Sequence, residues 1–132
     1  MTGKIDVATF ERIMESLPVE ISFVDADDAV RYFNKDGNRI FPRPKGIIGR
    51  KVQNCHPKKS VERVEEILRG FKEGTLGEAE FWIQIKDRMI YIRYFPVRDE
   101  AGKYIGCLEV TQDVTRIRQL KGEKRLLHEK PG

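Results

Sequence analysis

Four side chains in this sequence are soft metal ligands or nucleophiles: Cys55, His56, Cys107 and His128. Their number suits tetrahedral zinc. Adjacent residues such as Cys55 and His56 do not readily turn toward one ion, however, and none of the usual paired-ligand spacings occurs. His128 lies in a basic tail. No metal site is assigned. Catalysis finds as little support, because the chain has no G-x-S-x-G, Walker loop or H-E-x-x-H. Two histidines supply few acid–base groups for a site that needs a nucleophile, a base and an orienting group together. No catalytic residue is named, and the chain is expected not to be an enzyme.

The two cysteines sit 52 positions apart. No secretory signal precedes them, and no apolar run approaches the ~20 residues that span a bilayer. The expectation is a soluble cytosolic protein, off the membrane, with reduced thiols. Its 132 residues make one domain, large enough for a core without disulfide or metal staples. The net charge of +4 is confined to residues 116–132, and the rest of the chain is neutral. Within that neutral body, Arg39, Arg43, Lys45, Arg50, Lys51, Lys58 and Lys59 form a basic run with no acid between Gly37 and Val61. A nucleic-acid-associated regulator would use this run and the tail. The run carries no interleaved aromatic stacking pattern, so solvated loop charge is the preferred reading and nucleic acid is not an expected partner.

The elements that position these residues follow from periodicity. Val7, Phe10, Ile13, Met14 and Leu17 recur at helical steps behind Asp6, a good N-cap, and Pro18 ends the helix. Ile21–Asp25 and Val30–Asn34 read as a hairpin around Asp27-Asp28. Residues 36–57 carry Pro42, Pro44, Gly46 and Gly49 and support only short helical turns. A second helix, with Ser60 expected as its cap, places Val61, Val64, Ile67, Leu68 and Phe71 on one side until Gly74. Residues 80–86, 89–97 and 104–111 are three strands of an antiparallel meander. From Val114 the pattern turns helical again, with Ile117, Leu120 and Leu127.

The fold class is therefore α+β: a five-stranded antiparallel sheet with helices on one face, an N-terminal amphipathic helix and a C-terminal connecting helix. Residues 1–17 form a helical cap, 18–115 the core, and 116–132 a linker helix and basic tail. Leu68, Phe71, Ile83, Ile90, Ile92 and Leu108 would line the space between helix and sheet, with Tyr94 or Arg93 as a polar handle. Either these side chains fill that space or they leave a pocket for a small apolar ligand. The opposite face, with Trp82, Tyr91 and Phe95, is too apolar to stay wet. Phe10 and Met14 of the first helix, or a second subunit, are expected to cover it.

The order of motifs resembles a PAS domain, a small sensory fold, from about Leu17 to Leu120. The carriers are Val24-Asp25-Ala26-Asp27, Phe33-Asn34, Ile48-Gly49-Arg50 and His56-Pro57, then the closing block. That block runs Val97-Arg98-Asp99-Glu100-Ala101-Gly102, Ile105-Gly106 and Thr111-Gln112-Asp113-Val114-Thr115. The stretches Asn54–Pro57 and Phe81–Ile83 are similar to PAS domains at the C-terminal end of bacterial and archaeal proteins with a hemerythrin-like domain. The resemblance implies a sensory and signal-transduction module that binds a small ligand or dimerises, and passes a shift to an effector or sensor domain. With no output domain in the sequence, the chain is expected to be a fragment of a longer protein or a stand-alone module. The resemblance also implies candidate cofactor contacts. His56 is a haem ligand candidate, and Cys55 would be the adduct cysteine of a flavin site, although the Asn-Cys-Arg-Phe-Leu-Gln run of light-sensing relatives is missing. Cys107 is a small buried apolar residue. Asp113 and Thr115 would relay sheet motion into the terminal helix, Thr115 by capping it.

Overall fold

The structure, a computed structural model, describes residues 2–129. Helix α1, Val7–Ser16, starts where Asp6, in extended backbone, accepts the Thr9 N–H at 2.7 Å. Strands β1 (Glu20–Asp25) and β2 (Val30–Phe33) form the expected hairpin. Its turn is held by the Asp25 carboxylate, which accepts the Asp27 and Ala29 N–H groups at 2.9 and 3.0 Å. Two single 3-10 turns, Lys45–Ile47 and Val52–Cys55, interrupt the irregular stretch that follows. Then come α2 (Lys58–Glu73), β3 (Ala79–Ile85), β4 (Arg88–Arg98) and β5 (Tyr104–Asp113).

The five strands make one sheet in the order β2-β1-β5-β4-β3, with every pair antiparallel. The meander β3-β4-β5 is as expected, and β1 closes onto β5 to join it to the hairpin. Strand alternation divides the side chains between two faces. The register Val24↔Cys107, Ser22↔Glu109 and Tyr94↔Glu109 puts these residues on the face that α2 covers. Phe23, Leu108, Arg93 and Trp82 fall on the other. On the covered face, Val64, Ile67, Leu68 and Phe71 of α2 close the core against Val24, Val30, Phe33 and Cys107.

Three expectations about helices need correction. Ser60 is not the cap of α2. The helix starts at Lys58 behind Pro57, whose fixed φ of −61° already suits the junction, and no side chain caps it. At its other end Gly74 adopts the left-handed conformation, φ 77°, and its N–H returns to the Gly70 and Phe71 carbonyls. Second, α1 passes beside Tyr32 on the outer face but does not cover Trp82, which stays 63% exposed. It is tied by polar bonds at the end of β2, where Asn34 Nδ2 donates to the Met14 carbonyl and the Lys35 N–H to Glu15, both at 2.8 Å. Phe10 stays exposed and Met14 half-buried. Third, no connecting α-helix follows β5 among the described residues. Ile117–Gln119 form one 3-10 turn, and residues 120–129 contain no helix. Gly122 and the lysines around it lack the apolar stripe that would hold a helix against the body. No helix among the described residues is long and apolar enough to cross a membrane.

Candidate functional site

Between α2 and the sheet lies a cavity of about 30 Å³, the share of one water molecule. Its apolar part is built by Val24, Val30, Val52, Val64, Ile67 and Leu68. Its polar part is built by Ser22, Arg43, His56, Tyr94 and Glu109. β1 and β5 place Ser22 and Glu109 there by strand alternation, and the irregular 34–57 stretch carries Arg43 and His56 over the sheet edge.

The polar part is a set of paired charges. Arg43 Nη2 lies 3.1 Å from Glu109 Oε1, and both side chains are largely buried. Arg43 Nε is buried and has no partner among the described residues. Burial, with the Glu109 carboxylate beside it, pushes the Tyr94 phenol well above its ordinary value. The His56 Nδ1–H donates to the Val52 carbonyl at 2.9 Å, the tautomer that keeps this bond. Next to the cavity, the Arg39 side chain is 2% exposed and lies 3.7 Å from Glu20, itself 6% exposed. Arg39 also donates to the Asn34 carbonyl at 2.7 Å and to Ser22 Oγ at 3.3 Å. Desolvation lowers the pKa of Arg39, opposed by Glu20. Asn34, with no exposed surface, accepts the Ile21 N–H at 2.7 Å and donates to the Val19 carbonyl at 3.1 Å. Every buried charge in this set faces a counter-charge, as burial demands.

Of the residues expected to line a ligand pocket, Leu68 and Tyr94 do so. Phe71 is wholly buried in the core but lies off the cavity wall. Ile83, Ile90 and Ile92 share its sheet face without lining it. Leu108 and Arg93 belong to the other face, because each is one residue out of phase with an inward side chain, Cys107 or Tyr94. Arg93 lies over the Tyr91 and Phe95 rings at 4.9 and 5.6 Å. His56 is on the wall. Cys55 is half-buried against the core, its thiol 3.6 Å from the Lys51 carbonyl. These residues do not fit haem: the cavity is an order of magnitude below the several hundred Å³ that ligand pockets offer. Burial pushes the Cys107 thiol up to about 12. Among the described residues no three metal-ligating side chains converge.

Arg43, Glu109, Ser22, Glu20 and Arg39 are the site residues that sequence reasoning missed. The signal was present as parity: Glu20, Ser22 and Val24 alternate inward on one strand, Cys107, Glu109 and Thr111 on another. Two acids at inward positions require buried cations, and the basic run holds them. The solvated-loop reading of that run is therefore corrected at Arg39 and Arg43.

At the end of β5, Asp113 and Thr115 form the junction expected of them, in a different geometry. Asp113 Oδ1 accepts the Thr115 N–H at 3.0 Å and its hydroxyl at 2.6 Å. Arg88 pairs with the other carboxylate oxygen. The Thr115 hydroxyl accepts the Met89 N–H at 2.9 Å, so Thr115 bridges to β4 and caps no helix. These bonds, Thr115 first, hold the Asp113 carboxyl down at about 2.

The family model of the PAS domain matches residues 10–115. This chain belongs to the PAS-domain family. The crystal structure of a C-terminal domain from Streptococcus mutans is similar to this PAS domain at 31% identity and TM-score 0.86, over 92% of this chain and 94% of that one. A PAS domain from Colwellia psychrerythraea is similar at 19% identity and TM-score 0.60, over 83% and 98%. A sensory box sensor histidine kinase from Vibrio cholerae is similar at 14% identity and TM-score 0.58, over 82% and 90%. No curated protein matches the chain.

Proposed function

We propose that this PAS domain is a sensory signalling module, generally non-catalytic as PAS domains are, in which β5 carries a change at the buried polar site to residues 116–129. One observation supports the reading above others. The strand that presents Cys107 and Glu109 to the cavity ends at Asp113 and Thr115, which clamp it to Arg88 and Met89 of β4. A small ligand entering beside Arg43 and Glu109 must spread α2 from the sheet, and a change in sheet twist would be felt at that clamp.

In this reading residues 18–115 are the sensing core, α1 is a cap, and the chain after Thr115 leads to an effector or sensor domain in the same or another chain. The Streptococcus mutans neighbour is a C-terminal domain, the position that the resemblance to hemerythrin-associated proteins assigns. The apolar outer face with Trp82, Tyr91 and Phe95, together with Phe10 and Met14, supports contact with a second subunit or a neighbouring domain. The cytosol suits the two free thiols.

The test is Asp113→Ala with Thr115→Ala. Amide exchange of residues 114–119 should accelerate at least about tenfold while α2 keeps its protection. Unchanged exchange there would refute the relay.

A further inference from the structure

The two edges of the sheet are treated differently. Along β2, the Val30 N–H donates to the Arg50 carbonyl at 2.9 Å and the Gly49 N–H to the Val30 carbonyl at 2.7 Å, so residues 49–51 cover that edge. Strand β3 is hydrogen-bonded to β4 on one side and to no described strand on the other. Exposed edges are ordinarily blunted by proline, bulges, a short strand or charge. β3 has seven residues in unbroken register with β4, and Phe81-Trp82-Ile83-Gln84-Ile85 contains neither proline nor charge.

Its large apolar side chains are exposed on both faces: Trp82 at 63% on the outer face, Ile83 at 41% and Ile85 at 37% on the helix side. A partner packed on one face would leave the other set in water. A strand added to the edge reaches both, because its own side chains alternate in the same way.

We propose that the β3 edge pairs antiparallel with the β3 edge of a second copy, with Ile83 opposite its own counterpart. This inference rests on the second subunit of the reading above and places it at the edge of the sheet. A two-fold axis normal to the sheet keeps each residue on its own face, so β3 must be complementary to itself read backwards. Around Ile83 it is. Phe81 meets Ile85 on the helix side. Trp82 meets Gln84 on the outer side, and Glu80 stands opposite Lys86, the left-handed turn residue that follows β3 (φ 58°). Acidic Glu78 and Glu80 stand at one end of the strand and Lys86 at the other, so reversal sets acid against base. Sliding the pairing to a centre at Phe81 removes the base from opposite either acid. The product is a ten-stranded sheet with both α2 helices on one side.

The experiment is sedimentation of the 132-residue chain at about 0.1 mM with four variants. Wild type should be a dimer. Ile83→Lys, which sets like charges face to face at an exposed position, should weaken it at least about tenfold, and Ile83→Glu should do the same. Mixing the two should restore a dimer of one copy each. Ile83→Cys should give an interchain disulfide on mild oxidation, a readout that survives any loss of stability in the charged variants. A monomeric wild type would overturn both the second subunit and its placement. A dimer that resists Ile83→Lys and dissociates with Phe10→Ser would overturn the edge alone.

Discussion

Two arginines, on opposite faces of the same sheet, show how differently those faces are built. Arg39 on the helix side has lost nearly all contact with water and is held by Glu20, the Asn34 carbonyl and Ser22. Arg93 on the outer side lies over two aromatic rings of its own strand, with Trp82 nearby on β3 largely in solvent. One cation is fixed by directional bonds that no other side chain could reproduce. The other covers apolar surface. The inner face is thereby specified residue by residue, and the outer face tolerates exchange.

Removing Arg39 should have the largest effect. Arg39→Ala leaves Glu20 buried without its counter-charge and should cost about 3–5 kcal/mol by urea unfolding. Glu20→Gln together with Arg39→Met should recover part of that loss, since a neutral pair has no desolvation to offset. If Arg39→Ala unfolded like wild type, the buried pair would not be what shapes this face.

Next is the cavity pair. Arg43→Met and Glu109→Gln should each destabilise by about 2 kcal/mol, and the double variant by about 1–2 kcal/mol less than their sum, because each single change strands one charge. Strict additivity in the cycle would show that the two do not interact. Cys107 reports on the same wall. With its thiol pushed up to about 12 and its side chain buried, it should resist alkylation at pH 8 in the folded protein and react on unfolding.

The same contrast explains what was legible in the sequence. All five strands were readable, because alternation and turn residues are local signals. So were α1, α2 and the Asp113–Thr115 junction, whose partners are short-range or lie on the adjacent strand. The charge pairs were not. Arg39 and Glu20 are 19 positions apart, Arg43 and Glu109 are 66 apart, and a basic run looks the same whether solvated or buried. Leu108 and Arg93 were misplaced by one step of a period of two, which is enough to change face. The expected terminal helix failed for another reason: Ile117, Leu120 and Leu127 had the spacing, but no described part of the body offers them a surface.

Between the two faces stands the junction, and acid should loosen it. The Asp113 carboxyl is held down at about 2 against an ordinary 3.8. A carboxylate depressed in the folded state adds stability that is fully present above its unfolded value and disappears as pH falls through the folded one. The protection factors of amides 114–119, exchange rates taken relative to the unfolded chain at the same pH, should therefore be constant above about pH 4 and fall toward pH 2. Thr115→Val removes the largest cause of the shift, so the midpoint of the loss should move to higher pH and its extent should shrink. A midpoint and extent unmoved by that change would mean that Arg88, not Thr115, holds the group.

Arg93 should give the smallest effect and the sharpest comparison. Its guanidinium is attracted by the Tyr91 and Phe95 rings, a gain of about 0.5–1 kcal/mol where solvent is near. Its stem covers some of the same apolar surface. Arg93→Ala should cost no more than about 1 kcal/mol, and Arg93→Met, which keeps the cover and discards the charge, should be nearly neutral. The same substitution by alanine at Arg39 should cost several times as much. Equal losses at the two positions would mean that the outer face is held by the charge of Arg93, as the inner face is by that of Arg39.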